Sequence, residues 1–379
     1  MKGKQGLVCM GLLLVLSSCS CHTGKQITAS GLQRKDFQTE VNGQHTDLFT
    51  LSNKQGMEVC ITNYGARVVS ILVPDRNGKR EDVVCGFSTI TEYMEQRQNF
   101  GSTVGRYIGR ILNARFTLDG VEYKLVPNNG KSGHISHGGN PGFADRIWKV
   151  EQADTHRACL SYLSPDGENG FPGNLKVTLV YSLGEDDNAL DLTYEATTDA
   201  PTVLNLSHHS FFNISGNFTK SVEDQQLWVD ADRFTPYDDK KCVTGEYLPV
   251  AGTPLDFRMP HAIGECIDAD HPQLKVVNGY DHTWELNTKG DDTRPAAWVY
   301  DPASGRKMEI FTTEPGMQIY TGNGLKGKMT GKGGIAYPFR SAVCFETMHF
   351  QDSPNQPGFP STVLRPGEVF RSHTVYKFE

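Results

Sequence analysis

The chain has 379 residues, 21% of them charged, and its 37 basic against 44 acidic residues leave a net charge of −7. The Lys and Arg residues are scattered, with no basic stripe, which argues against a nucleic-acid partner. Its 39 glycines and 19 prolines, with few windows of helical period, exclude a helical bundle and favour an all-β protein of many short strands.

The first residues read as a targeting segment. Met1-Lys-Gly-Lys-Gln is a basic start, and Leu7 to Leu16 is an apolar run of ten residues. That run is too short for a bilayer, which needs ~20. It ends in Leu16-Ser-Ser-Cys19, which resembles the bacterial lipoprotein processing box. The expectation is a lipoprotein signal peptide over 1–18, a lipidated Cys19, and a polar flexible tether through residue 36. Such a chain would be exported and held on a bacterial membrane by its lipid. Seven cysteines would remain beside Cys19: Cys21, Cys60, Cys85, Cys159, Cys242, Cys266 and Cys344. The number is odd and no CxxC or Cys/His spacing marks a metal site, so free thiols are expected.

From Phe37 to the end, strands and turns alternate without a linker-like break. Met57 to Tyr64 and Arg67 to Val73 read as paired strands, with Asp75-Arg-Asn-Gly78 as a turn. Thr89 and Glu92 form a capping box that opens a short helix to Gln96. Arg115 to Leu125 is a hairpin with Asp119-Gly120 at its tip. Lys176 to Leu183 pairs with Ala189 to Thr197 across Gly184 to Asn188. Further strands run over Leu227 to Val229, Trp298 to Tyr300, Lys307 to Thr312 and Met317 to Thr321. One large antiparallel β-sandwich over residues 37–379 is the simplest architecture.

Familiar catalytic motifs are absent: there is no Gly-x-Ser-x-Gly elbow, no His-Glu-x-x-His and no Walker loop. Gly322-Asn-Gly-Leu-Lys-Gly327 matches a dinucleotide fingerprint literally, but the glycine-rich stretch after it cannot open a helix. Asp230, Asp232, Asp238 and Asp239 lack the glycine and terminal Glu of a calcium loop.

Four other stretches carry chemistry. In Ser136-His-Gly-Gly-Asn-Pro-Gly-Phe143, glycines beside His137 would let backbone approach a ligand, with Phe143 as an apolar platform for a sugar face. In Thr202 to Ile214, period two puts Leu204, Leu206, His208, Phe212 and Ile214 on one face. The other face carries Asn205, Ser207, His209, Phe211 and Asn213. The first face reads as core and the second as a binding surface, so His209 faces ligand and His208 is a packed, hydrogen-bonded core histidine. In Asn278 to Trp284, Asp281 either caps its own turn or meets hydroxyls, with Tyr280 and Trp284 as aromatic partners. In Ser341 to Phe350, apolar residues on both faces mark a strand between layers, and Glu346 interrupts it on the face of Cys344 and Met348. A carboxylate there is costly unless paired or protonated, and its rigid frame suits a general base.

Taken together, Gly105-Arg-Tyr-Ile-Gly-Arg110, the His137-Gly-Gly loop, His209-Ser-Phe-Phe-Asn, Tyr280-Asp-His, Pro315-Gly-Met-Gln-Ile-Tyr-Thr-Gly-Asn323, Phe345-Glu-Thr, Asn355-Gln-Pro and Leu364-Arg-Pro-Gly-Glu368 stand in the order of one family. They resemble the aldose 1-epimerases (galactose mutarotases) over essentially Phe37 to Glu379. The resemblance implies a galactose mutarotase-like supersandwich with an open sugar cleft, a free hexose as substrate, and neither cofactor nor metal. It also implies Glu346 as general base, His209 as general acid, and Arg110, His137, Asp281 and Gln318 as sugar-binding residues. One position departs: the family usually has Asn before the binding Arg, and this chain has Gly109. Two other readings stay open at this point. One is a glycosidase using Asp281 and Glu346, which needs those carboxylates within about 5–9.5 Å across a glycosidic bond. The other is a non-catalytic sugar-binding lipoprotein on the same sandwich.

Overall fold

The computed structural model describes residues 26–379; Cys19, the stretch 1–18 and the first residues of the expected tether lie outside the described residues. Two antiparallel sheets face each other. The larger has nine strands, in the order Lys149–Ala153, Arg157–Ser164, Leu175–Leu183, Ala189–Thr198, Phe370–Phe378, Lys307–Thr312, Ala297–Tyr300, Gln226–Val229 and His261–Ala262. The smaller has six: Phe211–Phe212, Val343–Met348, Gly316–Tyr320, Asp281–Glu285, Arg233–Thr235 and Leu248–Pro249. A four-stranded sheet, Leu48–Ser52 to Arg80–Asp82, joins the edge of the six-stranded one through a bridge between Val84 and Phe212. Among the described residues no helix is long and apolar enough to cross a membrane.

Alternation along the strands builds the core between the sheets. In Leu175–Leu183 every second residue is buried, and Val177, Leu179 and Tyr181 meet Phe212, Val343 and Phe345 in one apolar cluster. The Val343–Met348 strand is buried at every residue because it is covered on both sides. Thr347 reaches the large sheet at Thr374, 2.7 Å away, and the Phe345 carbonyl accepts from the Tyr376 hydroxyl at 3.0 Å.

The expected hairpins form as read, with Leu118 opposite Val121 and Leu183 opposite Leu190. Thr89 and Glu92 make the capping box of the Ile90–Gln96 helix. All six described cysteines are free, three of them buried.

The tether is a correction: residues 26–36 are docked on the domain. Leu32 is buried, the Ser30 amide donates to Glu58 at 3.1 Å, and the Arg34 guanidinium donates to Asp47 at 2.8 Å. An apolar anchor and paired polar groups hold a stretch whose composition alone reads as linker.

Candidate active site

Three neighbouring strands of the six-stranded sheet bring side chains onto one face. Gln318 lies directly opposite Glu346 on one side and Thr283 on the other. Tyr320 lies opposite Asp281 and Cys344, so period two aligns Asp281, Gln318, Tyr320 and Glu346 on the same face. That face floors a cleft of about 250 Å³, whose wall includes Arg110, His137, His209, Phe211 and Gln351.

The stretch Thr202 to Ile214 is not one strand. Thr202–Val203 pairs with Val363–Leu364, Ser207–His209 with Ser102–Val104, and Phe211–Phe212 with Val343–Met348. The alternation of faces nevertheless survives these changes of partner. His209 enters the cleft, its ring stacked on Phe211 with centroids 5.0 Å apart and edge-on to His137 at 5.5 Å. Its Nε2 stands 3.5 Å from Glu346 Oε1. His208 turns into the core, with Tyr181 and Tyr376 at 6.0 and 6.3 Å.

His208 is packed as expected, and its ring nitrogens meet only the Gly101 backbone, in a contact short of full hydrogen-bond geometry. Burial holds the ring neutral, its pKa pushed down to about 3. His208→Ala should therefore lose roughly 1–3 kcal/mol of stability through lost volume, with little change in rate. His208→Leu should cost less, because it fills the space and removes two poorly partnered nitrogens. Denaturant melts of both variants check this, and equal losses would show that the ring nitrogens are not a burden.

His137 sits at the head of its glycine loop. Gly138, at φ +77°, is packed so tightly on Gly105 that a Cβ would stand 2.1 Å from that carbonyl oxygen. The loop therefore needs glycine to bring His137 beside Gly109, where the His137 amide donates to the Gly109 carbonyl at 2.9 Å. Gln318 is clamped: it donates to Asp281 at 2.6 Å and accepts from the Thr283 hydroxyl at 2.5 Å.

The electrostatics follow from dryness. Burial pushes the Glu346 carboxyl well above its usual range, and Asp281 adds to this while Arg110 opposes it. Asp281 is also raised by burial, against the pull of Arg110 and Gln318. Burial pushes His209 well below the usual imidazole value, with His137 adding to it, and His137 itself falls to about 4. In each case burial acts against the charged form. The arrangement can thus exchange a proton between one carboxylate and one imidazole, with Arg110 supplying the balancing positive charge. His209, Cys344 and Glu346 also place three donor atoms within 4.8 Å of one another, although no sequence spacing pointed to them. A metal ion held there would take both proton-exchanging groups.

Residues 47–377 match the family described as aldose 1-epimerase. The chain belongs to the aldose 1-epimerase family. It is 40% identical over 331 residues to a galactose mutarotase of Bos taurus, covering 87% of this chain and 93% of that one. It is 36% identical over 339 residues to the aldose 1-epimerase of Escherichia coli K12, covering 89% and 96%. Among solved structures, an aldose epimerase homologue from C. elegans superposes with a TM-score of 0.81 at 30% identity, over 88% of this chain and 99% of that one. The galactose 1-epimerase of Lactobacillus acidophilus gives 0.78 at 28%, over 90% and 97%.

All six site residues read from the sequence, Glu346, His209, Arg110, His137, Asp281 and Gln318, line this one cleft. Several of their sequence neighbours do not. Phe143, Tyr280 and Trp284, read as sugar platforms, are core residues without exposed faces; Trp284 donates to the Leu255 carbonyl at 3.0 Å and Tyr280 to the Pro254 carbonyl at 2.8 Å. Asn205 and Asn213 are also turned to structure, bonding the backbone of His349 and Ser341. The aromatics of the cleft are Phe211 and Tyr320. Tyr320 was legible as the period-two neighbour of Gln318. Gln98, Asn99 and Gln351 carried no signal.

Proposed function

We propose that this chain interconverts the α and β anomers of free aldoses such as D-galactose and D-glucose, with Glu346 as general base and His209 as general acid. The observation that carries the assignment of roles is the buried carboxylate–imidazole pair, 3.5 Å apart at the cleft floor. The ring oxygen and the C1 hydroxyl of an aldose hang on the same carbon, so both meet this pair at once. Glu346 takes the hydroxyl proton, the C1–ring oxygen bond breaks, C1 becomes a carbonyl, and His209 protonates the departing ring oxygen. Rotation about C1–C2 presents the other carbonyl face. Closure returns each proton to the group that gave it.

The dry site supports the direction of these transfers. The reacting form, carboxylate and imidazolium, is the one that burial disfavours; ring opening leaves both groups neutral. Each proton transfer contributes roughly 10²–10⁴-fold. Arg110, His137, Asp281 and Gln318 fit the task of holding the ring oxygen and hydroxyls. Asp281 is already committed to Gln318, which disfavours a second carboxylate free for glycoside cleavage.

Polarimetry of fresh α-D-galactose and α-D-glucose with the full chain tests the activity. Acceleration over buffer is expected, and none at saturating protein would favour a sugar-binding protein without catalysis. The pH profile follows with a definite sign. The pair must hold one proton, so kcat/KM should fall on acidification, when His209 protonates beside a neutral Glu346, and on alkalinisation, when Glu346, its pKa raised by burial, loses the last proton. Arg110 lowers the Glu346 pKa, so Arg110→Met should move the limb set by Glu346 to higher pH as well as raise KM. A limb that stays in place would remove the electrostatic part of Arg110's role.

The placement at a membrane rests on Met1 to Cys19 alone, through the basic start, the short apolar run and the processing box. Cys19→Ser should abolish incorporation of a labelled fatty acid, and retained label would overturn the anchor.

A further inference from the structure

We propose that Gln351 is a sugar-contacting residue of this enzyme, offering its carboxamide to a substrate hydroxyl from the space that Gly109 leaves open. The proposal rests on the epimerase reading and adds a residue to it. Gly109 has φ +76°, and a Cβ built there would stand 2.6 Å from Gln351 Cγ. A side chain at 109 would collide with Gln351 where it now lies, so the glycine that departs from the usual Asn leaves that place to the glutamine.

The backbone around Gln351 is fixed to the Arg110 segment. The Tyr107 hydroxyl donates to the Phe350 carbonyl at 3.0 Å, and the Asp352 amide donates to the Arg110 carbonyl at 2.8 Å. The side chain is nearly enclosed yet forms part of the cleft wall. One of its N–H groups is well used, donating to the Tyr237 hydroxyl at 2.7 Å. Its remaining bonds are long. Nε2 is 3.4 Å from Gln318 Oε1, an oxygen that already accepts from Thr283 at 2.5 Å, and the Arg110 amide is 3.3 Å from Gln351 Oε1.

One N–H and one carbonyl oxygen, each held only by a long contact, match a hydroxyl, which both donates and accepts. A sugar oxygen at ordinary distance would displace the weak contacts. The site is dry enough that an analogue lacking that hydroxyl would leave the amide unpaired. Gln351 thereby becomes a determinant of which aldose binds.

The test uses the full chain with Gln351→Met, which keeps volume but removes the amide, and Gln351→Ala. Rates are measured on D-galactose and on its 2-deoxy, 3-deoxy, 4-deoxy and 6-deoxy analogues. On galactose both variants should lose roughly 5- to 50-fold in kcat/KM, mainly through KM, with the melting temperature little changed. For one deoxy sugar the gap between wild type and variant should close, because the wild type has lost the same contact. Gly109→Asn alone should be impaired by the clash with Gln351, and adding Gln351→Ala should restore part of the activity. An unchanged kcat/KM, or an equal loss on every analogue, would overturn the proposal while leaving the epimerase reading intact. A wild type that accelerates none of these sugars would overturn both.

Discussion

Glu346→Gln should leave the protein folded and cut anomer exchange by at least ~10²-fold, the usual worth of a general base. The carboxyl sits on a strand buried at every residue, with its pKa raised by burial and by Asp281. The amide keeps its shape and its place opposite Gln318 but cannot take the hydroxyl proton. Removing a charge that burial penalises should also hold or raise the melting temperature, the familiar opposition between stability and a strained site. Circular dichroism melts and polarimetry on the same sample decide it. A folded variant that keeps more than about a tenth of the rate would remove Glu346 from the base role.

His209→Asn should cost a similar factor, at least ~10²-fold, with little loss of stability. The ring borders the cleft, so water can fill the space that Asn leaves, and the stack on Phe211 is the main packing contact forgone. Because acid and base act on two oxygens of one carbon in one step, their losses should not add. The double variant Glu346→Gln/His209→Asn should be close to the worse single variant. Losses that multiply would mean that the two groups work in separate steps. If His208→Asn abolished the rate while His209→Asn kept it, the assignment of the two rings to cleft and core would be reversed.

The separation of those two histidines shows what a local pattern carries. Side chains two apart share a face whichever strand lies alongside. Thr202 to Ile214 changes pairing partner twice, and His208 and His209 still go to opposite sides. The same rule placed Glu346 on the face of Cys344 and Met348.

The rule fails where a side chain's surroundings come from distant chain. Trp284 and Tyr280 read as sugar platforms because they flank Asp281, but they face the core, where Phe257 packs against both. Asn205 shares a face with His209 and is taken up by the backbone of His349. His208 was given a hydrogen bond on the general expectation for buried polar groups, and its surroundings supply only a contact to the Gly101 backbone that falls short of full geometry.

Legible in the chain alone were the class of fold, the order of the family's motifs, the strand faces and six of the residues that line the cleft. The strand faces depend on spacings of a few residues, which the backbone's period converts directly into direction, whereas Arg110 and Gln318 came from the resemblance to the family's motifs. Only the tertiary structure decided that residues 26–36 belong to the domain, that Phe211 and Tyr320 are the cleft's aromatics, and that Gly109 makes room for Gln351. The last pair is separated by 242 positions, lies outside any shared strand register, and is joined by a steric exclusion that appears only when both segments occupy one place.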